Sequence, residues 1–565
     1  MARQCRDACS TIDANIASHL SSMAAIQPDR LAIACPVSGA WPWSTAFTEL
    51  SFKQLDDWSH DIALGLIQAG VGQGTRVALL VPPSPEFFAV VFALMKSGAI
   101  MICIDPGIGL KALGRCITHA QPRVIIGSRQ AHLACRVFAW GRDSNCLNIH
   151  TARIPFVLPG YRQANRSLHS IAETGKRENT ISLPVINAED PAAILFTSGS
   201  TGPPKGVIYT HATFQAQVRM LRECYDILPG EVDLSTFPLF ALFAPALQMS
   251  AVIPKMDFTR PARVRPRNII QAINRYGVTS LFGSPALLRR LGRWNRKYHH
   301  TLPSLRRIIS AGAPVQAEVL ADLVPMLAPG TRIHTPYGAT EILPVTSIAS
   351  DEILTETAAQ TALGKGICVG RPVAEVQVGI IDMTLGAVAH GDPVWLNTGT
   401  VGEIVVNGPN LSLGYDDCEE AQRLARFSDS QGRNWHRMGD TGYIDDHGRL
   451  WFCGRVAHCV ITGDRTYYPI PCEGVFNDHP RVYRSALIRL ETPGGIRPGL
   501  CVELETRVTA VSRQKICAEL LEMGSRFEQT REIREVFFHP AFPVDIRHNA
   551  KIDRERLGRW ARSRS

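Results

Sequence analysis

The sequence predicts an α/β protein: a large N-terminal domain of layered α/β subdomains, carrying a small β-rich subdomain, followed by a small α+β C-terminal domain. Three observations carry this reading. Short apolar runs alternate with amphipathic stretches over residues 28–160 and again over 205–345, as parallel strands joined by crossover helices do. Residues 365–450 break into short β-rich pieces separated by Gly, Asp and Asn turns. The last hundred residues mix short strands with one amphipathic helix.

The elements follow in order. Residues 1–25 are set aside as a disordered N-terminal segment, leaving a large domain over 26–454 and a small one over 455–565. Residues 51–69 place Leu55, Trp58, Ile62, Leu66 and Ile67 on one helical stripe. Residues 76–81 form a short buried-strand run, followed by a Pro-Pro turn and an apolar helix through Lys96; 100–104 is the next strand. The polar stretch 160–190, with Gly175-Lys176-Arg177, reads as a surface linker, and 192–196 as a strand. Further strands are expected at 280–282, 307–310, 375–381, 402–407, 442–452, 486–490 and 500–504, and a helix at 512–523.

Composition excludes several classes. With 565 residues, 45% hydrophobic and 20% charged, the chain is neither a disordered tail nor a coiled-coil rod. The net charge is +9, with only ten lysines among 60 basic residues, an arginine bias that reads as codon usage. No run of five or six like charges marks a nucleic-acid arm. The 15 cysteines include no CxxC pair and read as reduced core thiols of a cytoplasmic protein. The longest apolar runs, 87–95 and 237–247, are too short to cross a bilayer.

The most informative stretch is Leu195 to Gly206, LFTSGSTGPPKG. A strand enters a loop bearing Thr197, Ser198, Gly199, Ser200, Thr201 and Gly202, closed by Lys205. Glycines let backbone N–H groups converge on an anion, hydroxyls add donors, and the lysine adds a full charge. Such a loop suits a triphosphate. It fits neither the Walker A spacing nor a GxSxG nucleophile elbow.

With Ser310-Ala311-Gly312-Ala313-Pro314, Tyr337-Gly338-Ala339-Thr340-Glu341, Met438-Gly439-Asp440-Thr441-Gly442 and Gly454-Arg455 following in order, the chain resembles the AMP-forming acyl-activating superfamily over roughly 25–560. The resemblance implies ATP and Mg²⁺. Tyr337 would stack on adenine beside Gly312, Ala313, Pro314 and Gly338. Thr340 would bond a phosphate, Glu341 would ligate Mg²⁺, and Asp440 with Arg455 would hold the ribose. Lys551, in His548-Asn549-Ala550-Lys551-Ile552, stands where the family has its catalytic lysine, with Ala550 replacing the usual Gly. Thr197, Lys205, Glu341 and Lys551 are thus the expected catalytic set, and the small domain would rotate about a hinge at 455–458.

Three departures narrow the resemblance. Ala241, in Phe237-Pro238-Leu239-Phe240-Ala241-Leu242-Phe243, stands where acyl-CoA ligases carry a histidine; with Phe237, Phe240 and Phe243 it would line a roomy apolar substrate pocket. Ala457 and His458 replace the polar hinge, and Thr462–Glu473 departs from the stretch that admits coenzyme A. Together these resemble the β-lactone synthetases of bacterial long-chain olefin biosynthesis. That branch implies a long-chain 2-alkyl-3-hydroxy fatty acid substrate, activated as its acyl-adenylate and closed by its own hydroxyl. It also implies a thiolase-like condensing enzyme, an NADPH-dependent reductase and a β-lactone decarboxylase as partners. Two alternatives stay open: a long-chain acyl-CoA or acyl-carrier ligase with a diverged hinge, and a non-catalytic adenylate-binding subunit.

Overall fold

The computed structural model describes residues 14–37, 46–141, 146–152, 165–178, 180–196, 204–384, 386–388, 393–463, 465–506, 509–544 and 552–564. Two large sheets organise the chain. The first has eight strands in the order Gly414–Tyr415, Gly206–Thr210, Pro191–Phe196, Ile100–Cys103, Arg76–Leu80, Val124–Gly127, Leu147–His150 and Asn165–Ser167. It is parallel from Pro191–Phe196 onward and antiparallel at the Gly414–Tyr415 edge.

The second sheet is longer. Its parallel half runs Leu31–Pro36, Ser250–Val252, Val232–Ser235, Ser280–Phe282, Arg307–Ile309 and Arg332–Ala339. Its antiparallel half continues through Ile342–Ala349, Ile367–Pro372, Leu450–Arg455, Asn434–Ile444, Gly402–Asn407 and Gln377–Ile381. The β-rich pieces expected over 365–450 are thus the antiparallel continuation of the parallel sheet. The run expected as one strand over 442–452 is split, because Asp445 and Gly448 close a turn between Asn434–Ile444 and Leu450–Arg455.

Between the sheets lies the helix Pro85–Ser97. Its N-cap is Ser84, Pro85 occupies the first turn, and Gly98 ends it at φ 72°. The uninterrupted apolar run Phe87–Met95 fits a helix buried on every side. Lys96, buried at its end, bonds Asp56 Oδ1 at 2.6 Å and Ser59 Oγ at 2.8 Å, so the charge is paired. The expected stripe forms the helix Phe52–Gln68, opened by a Ser51/Gln54 capping box.

Two expectations need correction. The presumed linker contains the helix Leu168–Lys176, which packs on Phe52–Gln68 at very short range. A Cβ on Gly175 would stand 1.9 Å from the Asp61 carbonyl oxygen, and one on Gly65 would stand 2.0 Å from that of Ile171. Two glycines are what allow the backbones to meet. The segment 1–25 is also partly built in: Ser18–Ile26 is a helix with Leu20 and Met23 buried, and Asn15 bonds the Met95 carbonyl.

C-terminal to Arg455, the hairpin Val460–Thr462/Arg465–Tyr467 leads to the three-stranded sheet Val482–Thr492, Gly495–Leu504 and Val536–Phe538. The helices Pro469–Asn477, Ala510–Ser525 and Arg554–Arg562 pack on it around cores of their own.

One buried row in the parallel sheet carries charge. Arg307 pairs with Glu231 beside Asp233, whose Oδ2 accepts from Ser235 Oγ while Oδ1 has no hydrogen-bond partner among the described residues. Burial pushes the Asp233 carboxyl up to about 6 from its usual 3.8. A carboxyl raised in the fold adds stability below its unfolded pKa and loses it as pH rises through the folded value. Asp233→Asn, which does not titrate, should therefore gain on wild type by on the order of 3 kcal/mol between pH 4 and pH 7.5. Urea melts at the two pH values check this; a gap independent of pH would show that Asp233 is charged in the fold throughout.

Candidate functional site

Of the residues singled out in the sequence, Lys205, Tyr337, Glu341, Asp440 and Arg455 meet where the two sheets join. Arg332–Ala339 and Ile342–Ala349 form a hairpin in which Ala339 faces Ile342, so Thr340 and Glu341 are its two-residue tip. Gly338 is required there: a Cβ would stand 2.7 Å from the Ile342 carbonyl oxygen. The Tyr209 hydroxyl donates to the Thr340 carbonyl at 2.5 Å, and the Ser412 N–H to that of Glu341 at 2.9 Å. The tip is pinned from both sides.

Beside it, the edge pairing of Gly414–Tyr415 with Gly206–Thr210 places Tyr415 between two of the expected residues. Its hydroxyl donates to Glu341 Oε1 at 2.6 Å, and Lys205 Nζ lies 5.0 Å from its ring centroid. Asp416 next to it is gripped by Arg76 through two bonds of 2.6 and 3.2 Å, and its carbonyl by His119 at 2.9 Å. Arg426 holds the preceding turn, donating to the carbonyls of Ser412 and Leu413 at 2.6 and 2.8 Å.

A second constellation adjoins the first. The Tyr337 hydroxyl donates to Asp440 Oδ2 at 2.6 Å, and Arg455 Nε lies 3.1 Å from Asp440 Oδ1. Asp440 and Arg455 are register partners on neighbouring strands. Burial and the adjacent Asp440 hold the Tyr337 phenol well above its ordinary range, so it stays a donor. Gly312, at φ 96°, turns the chain after Arg307–Ile309, and Ala313 and Pro314 follow at the same end of the sheet as Tyr337.

Sequence reasoning missed Tyr415, Arg76, Asp416, Arg426 and His436. His436 is 3% exposed, and its Nδ1 has no partner among the described residues. Burial, reinforced by Arg426, Lys205 and Arg455 and opposed by Glu341, lowers its pKa to about 4. It is a neutral imidazole embedded among the charged groups. Within an alternating strand, nothing in the pattern separates such a histidine from core. The polar Gly-Tyr-Asp-Asp turn at 414–417 was a faint signal for Tyr415.

The apolar segment forms a 3-10 helix, Pro238–Phe243. Phe240 stacks on Phe282 at 4.3 Å, with Phe237 at 6.2 Å from Phe282 and Phe243 at 6.0 Å from Phe240. Ala241 is 3% exposed and faces the main core. The segment expected as the hinge is the short 3-10 helix Val456–His458, and Gly454 beside it abuts Pro469, 2.9 Å from where a Cβ would stand. His458 lies between Arg554 and Arg455; burial first, then these cations, lowers it to about 4, so it is uncharged at neutral pH and a weak base. Glu473 is buried, both of its carboxylate oxygens accepting from Arg554 Nη2, at 2.5 and 2.7 Å. Thr197, Ser198, Gly199, Ser200, Thr201, Gly202 and Lys551 lie outside the described residues.

Chemically, the arrangement suits a nucleotide: a half-buried flat ring, an acceptor-only carboxylate, a cation at the end of a hydroxyl-rich loop, and one hard carboxylate at the hairpin tip. No group of three metal-ligating side chains occurs among the described residues. A lone Glu341 fits Mg²⁺, which keeps waters and takes phosphate oxygens rather than an all-protein cage.

The sequence profile described as AMP-binding enzyme matches residues 20–416. An olefin beta-lactone synthetase of Xanthomonas campestris is 44% identical over 553 residues, covering 97% of this chain and 97% of its own length. One from Stenotrophomonas maltophilia is 42% identical over 560 residues, covering 97% and 98%. Among solved structures, ATP-bound MatB from Rhodopseudomonas palustris superposes with a TM-score of 0.75 at 21% identity, covering 97% of this chain and 99% of that one, a likeness of fold.

The Arg76 grip on Asp416 makes a measurable demand. Asp416 is 2% exposed, so Arg76→Ala strands a buried carboxylate and should destabilise the fold by about 3 kcal/mol. Thermal unfolding checks it; an unchanged midpoint would mean that the carboxylate is solvated.

Proposed function

The chain belongs to the family of AMP-binding enzymes, and we propose that it is an ATP-dependent, AMP-forming ligase that converts a long-chain 2-alkyl-3-hydroxy fatty acid to a β-lactone through an acyl-adenylate. The observation that carries this reading is the 44% identity to an olefin beta-lactone synthetase across 97% of both chains. The apolar Ala457 in the hinge and the aromatic cluster around Phe240 and Phe282 support it.

In this reading Tyr337 stacks on the adenine, with Gly312, Ala313, Pro314 and Gly338 beside it. Asp440 and Arg455 hold the ribose hydroxyls, while Thr340, Lys205 and the loop Thr197 to Gly202 bind phosphate oxygens. Glu341, oriented by Tyr415, is the protein ligand to Mg²⁺, which supplies charge neutralisation on the phosphates. Lys551 stabilises the charge that builds as the substrate carboxylate attacks the α-phosphate and pyrophosphate departs. Phe237, Phe240 and Phe243 line the alkyl chains, with the buried Ala241 packed behind them in the core.

The second step needs no separate nucleophile site. The substrate's own 3-hydroxyl attacks the activated carbonyl, the new C–O bond closes the four-membered ring, the acyl–phosphate bond breaks, and AMP leaves as the hydroxyl loses its proton. Nucleophile and electrophile share one molecule, and such intramolecular pairs reach effective molarities on the order of 10⁵–10⁸ M when well oriented. The apolar surround excludes the water that would hydrolyse the adenylate. A condensing enzyme and a reductase would supply this substrate, and a decarboxylase would consume the lactone.

The test is incubation with ATP, Mg²⁺ and a synthetic long-chain 2-alkyl-3-hydroxy acid, without coenzyme A, with the product identified by NMR. The expected result is a β-lactone formed one for one with AMP. A thioester as the only product, appearing only when coenzyme A is added, would establish the acyl-CoA ligase instead.

A further inference from the structure

The net charge of the chain sits in one place. Residues 255–300 hold eleven Lys and Arg against a single acidic residue, Asp257, a charge of +10, while the whole chain carries +9. Everything else is close to neutral in sum.

The fold gathers these residues on one surface. The helix Pro266–Tyr276 buries Ile269, Ile270 and Ile273 and turns Arg267 outward. The helix Pro285–Tyr298 buries Leu287, Leu288 and Leu291, which leaves Arg290, Arg293 and Lys297 on its exposed face at helical spacing. The short turn Pro261–Arg263 packs against that second helix and adds exposed Arg263. Nearby carboxylates are few: Glu49 takes Arg275 at 3.3 Å and Asp322 takes Arg296 at 2.7 Å. Arg263, Arg265, Arg267, Arg290 and Arg293 form no ion pair among the described residues. On the same helix Trp294 stacks on Tyr298 at 4.5 Å, and Tyr298 is 45% exposed.

We propose that this arginine-rich face docks the enzyme on anionic phospholipid bilayers. Arginines drawn toward acidic headgroups, with a Trp-Tyr pair at their level, are the groups a peripheral interface uses. The choice of a bilayer over other polyanions rests on the substrate proposed above, whose two alkyl chains partition into lipid. No helix among the described residues can cross a membrane, which leaves the surface as the route to such a substrate. The geometry serves that route. The strand Ser280–Phe282 ends at Phe282, stacked in the aromatic cluster, and Ser284 then caps the basic helix. The helix that carries Arg290 and Arg293 thus begins three residues after Phe282, a member of that cluster.

The experiment is co-sedimentation of the full chain with vesicles of phosphatidylcholine alone or mixed with phosphatidylglycerol. Substrate is left out, so binding stands or falls separately from the lactone reading. The expected result is binding only to phosphatidylglycerol vesicles, released by high salt. It should weaken at least about fiftyfold in the combined variant Arg263→Gln, Arg267→Gln, Arg290→Gln, Arg293→Gln. Arg556→Gln with Arg559→Gln, exposed basic residues elsewhere, should change it little. Equal binding to both vesicle types, equal loss in the two variants, or tight binding to duplex DNA with no lipid preference would each overturn the proposal.

Discussion

The structure depends on one short antiparallel contact, the pairing of Gly414–Tyr415 with Gly206–Thr210. It fastens the β-rich end of the long sheet to the edge of the eight-stranded one. Through it Lys205, which follows the hydroxyl-rich loop, and Glu341, at a hairpin tip of the other sheet, come to share a single tyrosine. Neither acid nor base could be placed so closely by its own sheet. The Arg76–Asp416 pair and the Arg426 bonds to 412–413 hold that contact from behind.

A second constraint operates at Asp440. One carboxylate is shared between a phenol on the parallel half of the long sheet and a guanidinium at the entry to the C-terminal segment. Whatever binds Asp440 therefore feels the position of Arg455, which opens the segment 455–458 proposed as the hinge. That segment is short, with Ala457 exposed and His458 kept neutral by burial and by the charges of Arg554 and Arg455. An enzyme whose two steps use one bound substrate has less need of a polar pivot than one that must admit a second substrate.

How much of this was legible in the sequence varied with the kind of signal. Periodicity located the parallel strands at 76–80, 100–103, 191–196, 280–282 and 307–309 and the helices at 52–68 and 85–97, because burial on one face or on all faces leaves a plain apolar pattern. Motif residues Tyr337, Asp440, Glu341 and Arg455 were legible as a set, and the fold brings them together. The helix Leu168–Lys176 was hidden by its polar composition, although Leu168, Ile171, Ala172 and Gly175 do share a stripe. Tyr415 and Arg76 are separated by more than three hundred residues, and no local rule links them. The arginine bias was spread across the count of the whole chain; only the fold shows that the helices following Val252 and Phe282 put the surplus on one face.

The central claim is that Tyr415 sets Glu341 for the metal-bound nucleotide. Titration calorimetry of ATP into wild type and Tyr415→Phe, with and without Mg²⁺, tests it most directly. Loss of a hydrogen bond to a charged group is worth about 1.5–3 kcal/mol, so the variant should bind ATP with Mg²⁺ at least tenfold more weakly. Binding without Mg²⁺ should change little. An equal loss in both titrations, or none in either, would contradict the account.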